Sequence, residues 1–165
     1  MTMAGPIKIV QADLGRPEHQ EAILAMTDAY SRDDFGDGKP LGREARERLI
    51  PGLRSHPTTL VMLAFDGDRP VGAATCFVGF STFAARPLVN IHDLVVLPDY
   101  RGKGLGRRLM EAVERKARGL GCCKITLEVL DGNARALGAY KAFGFKSYAL
   151  QEGAGEAIFL TKPLN

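Results

Sequence analysis

A turn rich in glycine and basic residues joins a predicted strand to a predicted helix in the second half of this 165-residue chain. Residues 101–106 read Arg-Gly-Lys-Gly-Leu-Gly and follow the apolar run 94–97. Apolar residues then recur at helical spacing, at Leu105, Leu109, Val113, Ala117 and Leu120. The glycines let backbone N–H groups point outward, and a helix N-terminus adds unpaired donors and the positive end of its dipole. This combination predicts a site for a phosphate-bearing ligand.

The charges and the spacing of this turn narrow the choice of ligand. Lys103, Arg107 and Arg108 crowd a helix start that normally carries acidic residues. Each cation there costs about 0.3 kcal/mol or more unless an anion joins it. The turn lacks the Gly-x-x-x-x-Gly-Lys-Ser/Thr of a P-loop and the Gly-x-Gly-x-x-Gly of a dinucleotide site, because residue 107 is arginine. We therefore expect a ligand with several phosphates, bound by a motif other than the P-loop and the dinucleotide site.

The residues around the turn resemble the GNAT superfamily of N-acetyltransferases. Arg101-x-x-Gly104-x-Gly106 matches the superfamily motif Arg/Gln-x-x-Gly-x-Gly/Ala, whose loop amides hold the pyrophosphate of acetyl-coenzyme A. The similarity runs from about Asn90 to Tyr148. Further matches lie at residues 97–100, 127–129 and 133–145.

The resemblance implies that acetyl-CoA is the co-substrate and which residues hold it. In the family, the strand before the turn splays from its neighbour, the pantetheine arm pairs with its free edge, and a backbone N–H there stabilises the oxyanion. The implied coenzyme-binding residues are Leu94, Val95, Val96, Arg101, Gly102, Lys103, Gly104, Leu105, Gly106, Arg107, Asn133 and Tyr140. Asn133 is also a plain candidate for the N-cap of the next helix.

Acetyl transfer from a thioester to an amine needs an acid for the leaving thiolate and a base for the amine. A phenol has an ordinary pKa of about 10 and suits the role of the acid. The resemblance assigns this role to Tyr140, in preference to a role as a packing residue of the core. His92 is the first candidate base, because an imidazole ordinarily titrates at about pH 6.5. The alternatives are Glu128, water, or a purely structural sheet histidine. Asp93 should face the other side of the strand unless a bulge intervenes, so we interpret it as structural.

The sequence gives fewer indications of the residues that bind the amine acceptor. Residues 91–94 read Ile-His-Asp-Leu and most resemble the diamine/polyamine acetyltransferase branch, but that branch usually has Glu in place of His92. Acidic residues after the first predicted helix would attract a cationic amine, although an exposed polar loop explains them equally well. The candidate acceptor-binding residues are Tyr30, Asp33, Asp34, Phe80 and His92.

The hydrophobic pattern predicts a mixed α/β fold in the order βααβββαβαββ, with a mostly antiparallel sheet and helices on both faces. The predicted strands are 7–10, 59–65, 71–80, 88–97, 124–129, 145–150 and 156–161. Two predicted helices span residues 17–30 and 43–53. A third begins at the turn of residues 101–106, which we call the glycine turn, and ends at Gly119 or Gly121, and a fourth runs from Asn133 to Gly144. The splay of the central strands is implied by the resemblance alone.

Composition limits the class of protein. A chain of this length predicts one domain over residues 1–165, and a net charge of +3 argues against nucleic acid as a partner. No apolar run approaches 18 residues, so we expect no membrane partner and a cytoplasmic location. The three cysteines form no metal-binding spacing, so we predict no metal and no need for a disulfide.

These observations favour an acetyl-CoA-dependent N-acetyltransferase that acts on a primary amine of a small molecule, such as a diamine or polyamine. The alternative is a non-catalytic acyl-CoA-binding or sensor domain that uses the same turn. The branch that the chain resembles is commonly dimeric, and the two C-terminal strands would leave edges for pairing, so we expect a homodimer.

Overall fold

A computed structural model of the chain describes residues 6–149 and 151–164. It consists of two compact units, Met1–Leu127 and Glu128–Asn165. The first unit holds a five-stranded sheet and three α-helices, and the second holds one further α-helix. The prediction of a single domain over residues 1–165 stays a prediction.

The sheet of the first unit follows the chain order, β1-β2-β3-β4-β5. Neighbouring strands are antiparallel except β4 and β5, which are parallel. The mostly antiparallel sheet that the sequence predicts is therefore confirmed. The elements are β1 (Lys8–Gln11), α1 (Pro17–Ser31), α2 (Arg43–Ser55), β2 (Thr59–Asp66), β3 (Arg69–Ser81), β4 (Arg86–Val96), a 3₁₀ turn (Pro98–Tyr100), α3 (Leu105–Gly119) and β5 (Ile125–Leu127).

Helices cover both faces of this sheet, as predicted. On one face, α1 and α2 bury apolar side chains against alternate residues of the strands, among them Ile23, Met26, Leu53, Val61, Leu63, Ala73 and Val95. On the other face, α3 packs so closely that a Cβ placed on Gly72 would lie 3.1 Å from the Leu109 side chain. Leu109 is fully buried, which contributes about 1.5–3 kcal/mol. This packing fixes α3, and with it the glycine turn, to β3.

The second unit contains α4 (Ala134–Phe143). The Asn133 side chain accepts a hydrogen bond of 3.1 Å from the Ala136 N–H, so the predicted N-cap is confirmed. Gly144 ends the helix in the left-handed conformation, with a φ of 116° that favours glycine. The cap and the terminating glycine together explain why the helix has the bounds that the sequence predicts.

The two predicted C-terminal strands are wrong for the described residues. Residues 145–149 and 156–161 form no strand, and Leu150 lies outside the described residues. One backbone hydrogen bond joins these segments, from the Ala157 N–H to the Tyr148 carbonyl at 3.0 Å. Gly153 and Gly155 between them have φ values of 81° and 84°, which interrupt an extended ladder. Three consecutive apolar side chains, Ile158, Phe159 and Leu160, are exposed, so the segment lacks the alternating burial of a sheet strand.

Candidate active site

The glycine turn leaves the first turn of α3 without a protein cap. Gly104 is the N-cap residue, with a φ of 78° in the left-handed region, and Gly102 has a φ of 70°. No side chain of the described residues caps the helix, and its first turn contains no acidic residue. The N–H groups of this first turn are among the donors that a helix cannot satisfy internally. An anion is the partner that they and the helix dipole favour.

The cations of the turn have hydrogen-bond partners within the protein, which are neutral carbonyls for Lys103 and Arg108 and an acidic side chain for Arg107. The Lys103 ammonium donates to the Asp99 carbonyl at 2.8 Å. Arg107 forms an ion pair with Glu111 at 3.1 Å, and Arg108 donates to the Ile7 carbonyl at 2.7 Å. The backbone donors of the turn, rather than unpaired side-chain charge, therefore carry the case for a phosphate site.

Just before the turn, β4 has an edge that no strand covers. β5 pairs only with Val89, Asn90 and Ile91, whereas β4 continues to Val96. The Leu97 N–H donates to the Val71 carbonyl on β3 at 3.0 Å. Because backbone groups alternate along an antiparallel strand, Val95 also faces β3, and the N–H and C=O groups of Leu94 and Val96 face away from it. Within residues 6–149 and 151–164, no strand pairs with that edge. The first unit thus leaves this edge of β4 without a strand partner at the place where the resemblance implied a splay.

A β-bulge places His92 at the start of this open edge. Thr75 pairs with Asp93 and Cys76 pairs with Ile91, so His92 is the extra residue of β4. A bulge breaks the strict alternation of side chains between the two faces. This is the exception that the sequence analysis allowed for Asp93.

The exposed ring of His92 is held by aromatic contacts. It lies edge-on to Phe77, with ring centroids 5.6 Å apart. Phe77 in turn contacts His56, with a centroid distance of 4.9 Å. His56 follows α2, so three separate parts of the first unit position this imidazole. The arrangement keeps the ring exposed at the sheet surface.

Asp93 lies beside His92 in a partly buried position. Burial raises the pKa of its carboxyl above the ordinary range, and the nearby His92 opposes that shift. Burial, then the charges of Asp93 and Asp33, raises the pKa of the Tyr30 phenol. Burial also raises the pKa of the Cys76 thiol to about 12, with Asp93 as the second cause. The carboxyl of Asp93 thus interacts electrostatically with His92, Tyr30 and Cys76, and its place beside His92 at the bulge makes it a further candidate for the site.

The other predicted acceptor residues have different surroundings. The Asp33 carboxylate forms an ion pair with Arg101, whereas Asp34 is exposed. Phe80 is 63% exposed near the hairpin between β3 and β4. It lies four residues along β3 from Cys76, a distance of about 13 Å. The first unit therefore places His92 beside Asp93 and ties Asp33 to Arg101, and it holds Phe80 farther along the sheet.

Glu128, Asn133 and Tyr140 belong to the second unit. Glu128 is exposed. Tyr140 is half-buried on α4, and its ring lies edge-on to Phe145 with a centroid distance of 6.0 Å. The Phe145 N–H donates to the Tyr140 carbonyl at 3.0 Å, so the residues after Gly144 fold back onto the end of the helix. These two contacts hold Tyr140, the residue that the resemblance assigns as the acid, against Phe145.

Within residues 6–149 and 151–164, no cluster of three or more His, Cys, Asp or Glu side chains could hold a metal ion. The three cysteines are free. Over the same part of the chain, no helix combines the length and the apolar character that crossing a bilayer requires.

Comparisons with known proteins agree with this geometry. The model of the acetyltransferase (GNAT) family matches residues 23–145. The thialysine N-epsilon-acetyltransferase of Mus musculus is 34% identical over 142 residues, which cover 86% of this chain and 76% of that protein. The enzyme of the same name from Bos taurus is 36% identical over 87 residues, and the match covers 53% of this chain and 51% of the relative, so it spans about half of that protein. The streptothricin acetyltransferase of Streptomyces lavendulae is 37% identical over 109 residues, which cover 66% of this chain and 53% of that protein.

Solved structures share the fold. An aminoglycoside acetyltransferase from an uncultured soil metagenomic sample superposes with a TM-score of 0.77 at 16% identity, covering 96% of this chain and 97% of that one. An aminoglycoside N-acetyltransferase in complex with CoA superposes with a TM-score of 0.73 at 18% identity and covers 98% of each chain. At these identities the structures show the fold alone, whereas the family model covers most of the chain. The chain belongs to the acetyltransferase (GNAT) family.

Proposed function

We propose that the protein is an acetyl-CoA-dependent N-acetyltransferase that transfers an acetyl group directly to a primary amine of a small molecule. The observation that carries this proposal is the juxtaposition of an open β4 edge, from His92 to Val96, with the uncapped glycine turn that follows it. An elongated ligand with a phosphate-rich end and an amide-bearing arm fits both features, because the turn offers donors to the phosphates and the edge offers backbone groups to the amides.

In this proposal the first unit binds the coenzyme mainly through its backbone. The amides at residues 102–107 hold the pyrophosphate, and the Leu94 and Val96 N–H groups hold the arm and the thioester oxygen. An N–H already fixed in the sheet stabilises a developing oxyanion without reorganisation. The bound coenzyme supplies the acetyl thioester. Asn133 contributes an amide from the start of α4, in addition to its role as a cap.

The amine and the thiolate each need a proton carrier. We propose His92 as the base, because it lies exposed at the bulge where the open edge begins. Glu128 remains the second candidate. We propose Tyr140 as the acid that protonates the leaving thiolate, since its phenol is held in place on α4.

The acceptor in this proposal is a cationic amine. The carboxylates of Asp93 and Asp34 attract positive charge, and the charge of Asp93 also acts on the pKa of the Tyr30 phenol. The relatives named above include proteins named for thialysine and streptothricin. A diamine or polyamine is the acceptor class that we propose first, and a panel of amines assayed by release of the coenzyme thiol identifies it. Binding of acetyl-CoA without turnover of any amine would favour a non-catalytic acyl-CoA-binding domain.

We also propose a cytoplasmic homodimer. Light scattering at micromolar concentration should give twice the mass of the chain, and a monomer mass would contradict the dimer.

Coenzyme binding is tested by Gly104→Asp. The substitution places a negative charge and a side chain at the N-cap of α3, in a position with positive φ. We expect calorimetry to show a loss of acetyl-CoA affinity of at least about 10²-fold, because the carboxylate occupies the site that the phosphates need. Gly121→Asp is the matched control, since Gly121 has a similar φ of 71° but lies beyond the opposite end of α3. Unchanged affinity in the Gly104→Asp protein would refute the assignment of the turn.

The acid role is tested by Tyr140→Phe, which removes one hydroxyl and keeps the ring contact with Phe145. Turnover should fall by about 10²-fold or more while acetyl-CoA affinity changes little. Steady-state kinetics and calorimetry measure the two quantities. Wild-type turnover would show that Tyr140 is only a packing residue, and a collapse of coenzyme binding would assign it to binding.

The base is tested by the pH dependence of His92→Gln. In the wild type we expect kcat/KM to rise with pH along an acidic limb, because the base accepts the amine proton only when it is itself deprotonated. Glutamine keeps a polar side chain but accepts no proton, so this acidic limb should disappear and activity should recover partly at high pH, where the free amine is abundant. If the limb persists, His92 is not the base, and Glu128→Gln is the next variant for the same assay.

Asp93 gives a prediction about stability. Because burial raises its pKa in the folded protein, the folded state holds the proton more tightly than the unfolded state. Stability is therefore lost as the pH rises from the unfolded carboxyl value of about 3.9 through the higher pKa of the folded protein. Asp93→Asn should raise the melting temperature at pH 7 but not at pH 3, where both forms are neutral.

The exposed Asp68 provides the control for this measurement. Asp68→Asn should change the melting temperature little at either pH. An Asp93→Asn protein that is equally or more destabilised at pH 7 than at pH 3 would mean that the native carboxylate is stabilised, contrary to the predicted shift.

A further inference from the structure

Arg101, the first residue of the coenzyme motif, has its side chain held within the protein. Its Nε donates to the Val96 carbonyl at 2.8 Å, and Nη2 forms an ion pair with the Asp33 carboxylate. The two side chains are only 26% and 16% exposed. The guanidinium thus joins the last residue of β4 to Asp33, which lies 68 positions before Arg101 in the chain.

Asp33 lies at the start of the segment that follows α1, which we call the acceptor loop (residues 32–42). Its carboxylate also accepts a hydrogen bond of 3.3 Å from the Phe35 N–H. Across the base of the loop, the Ser31 hydroxyl donates to the Lys39 carbonyl at 2.7 Å. The acceptor loop is therefore compact, and the ion pair to Arg101 ties it to the glycine turn.

We propose that Arg101 is a positioning residue that couples the two substrate sites: when the coenzyme fixes the glycine turn, the ion pair with Asp33 fixes the acceptor loop. This inference rests on the proposed function, because it takes the turn as the coenzyme site. It also assigns Asp33 a role different from the amine contact that the sequence predicted, since its carboxylate is directed to Arg101.

The physical reason for the coupling lies in the geometry of the guanidinium. The hydrogen bond to the Val96 carbonyl fixes its orientation, so the second donor pair can meet Asp33 without further ordering. A ligand that immobilises the backbone of residues 101–107 then lowers the entropy cost of ordering the acceptor loop. Because such coupling is reciprocal, the amine should bind more tightly after the coenzyme, and the coenzyme more tightly after the amine.

Hydrogen exchange of the acceptor loop amides, measured with and without saturating CoA, tests this proposal without an acceptor. In the wild type, CoA should slow exchange across residues 33–40 by about fivefold or more, the lower range of typical couplings. Asp33→Asn should abolish this CoA-dependent slowing. Asp33→Glu, which keeps the carboxylate, should restore much of it, whereas a merely structural role would change exchange equally with and without CoA.

Arg101→Gln gives a second test from the other side of the pair. Glutamine is the alternative residue of the motif and can donate to the Val96 carbonyl, but it cannot form the ion pair. It should lose the CoA-dependent slowing as Asp33→Asn does, and it carries the test if Asp33→Asn does not fold. Asp37→Asn is the matched control, because it removes an equal charge from the same loop and leaves the ion pair intact.

The outcomes separate this inference from the proposed function. If the wild type fails to bind CoA, the proposed function is wrong. If CoA binds but does not protect the acceptor loop, or protects it equally in the Arg101→Gln protein, the coupling is wrong and the coenzyme site stands.

Discussion

The site depends on an unequal pairing of strands. β5 covers only three residues of β4, and β4 continues for five more with one edge uncovered. Backbone N–H and C=O groups that lack a ladder partner must find another partner or remain hydrated. In this protein the Val96 carbonyl has a side-chain partner in Arg101, while the Leu94 and Val96 N–H groups remain directed at the open edge. In the proposed site, the shortness of the fifth strand is thus what leaves this edge of β4 available to the coenzyme.

Two backbone features extend this surface at either end. At its start, the bulge at His92 presents an imidazole and a partly buried carboxylate together. At its end, the left-handed Gly104 opens the first turn of α3. Neither feature requires unpaired charge, since the cations nearby have partners within the protein. Exposed ion pairs such as Arg107 with Glu111 contribute little to stability, so an arriving anion can displace them at small cost.

Much of this structure follows from the sequence alone. Spacing of apolar residues predicts the four helices, because the buried stripe of α3 and the caps of α4 are local signals. The glycine turn and Asn133 are likewise local. The bulge at His92 has no such signal, because it depends on the register between β3 and β4. The contact of Asp33 with Arg101 joins residues far apart in the chain, and the ring contacts of Phe77 with His56 and His92 join three separate elements.

The C-terminal segments show that a local sequence pattern can predict a strand that the structure does not form. Residues 156–161 have strand-forming side chains, but a strand exists only where a neighbour supplies its hydrogen bonds. The two glycines of positive φ before them produce a bend that a hydrophobic pattern does not reveal. The bulge next to Asp93 is likewise beyond local reasoning, because it depends on the register between β3 and β4.

The most direct measurement is a titration of the amide-labelled protein with CoA, followed by NMR at residues 94–96. If the open edge of β4 holds the coenzyme, the Leu94 and Val96 N–H resonances should shift strongly and saturably. The Val95 N–H, which faces β3, should shift much less. Saturable binding of CoA that leaves the Leu94 and Val96 resonances unchanged would contradict the central claim that this edge is the coenzyme's docking site.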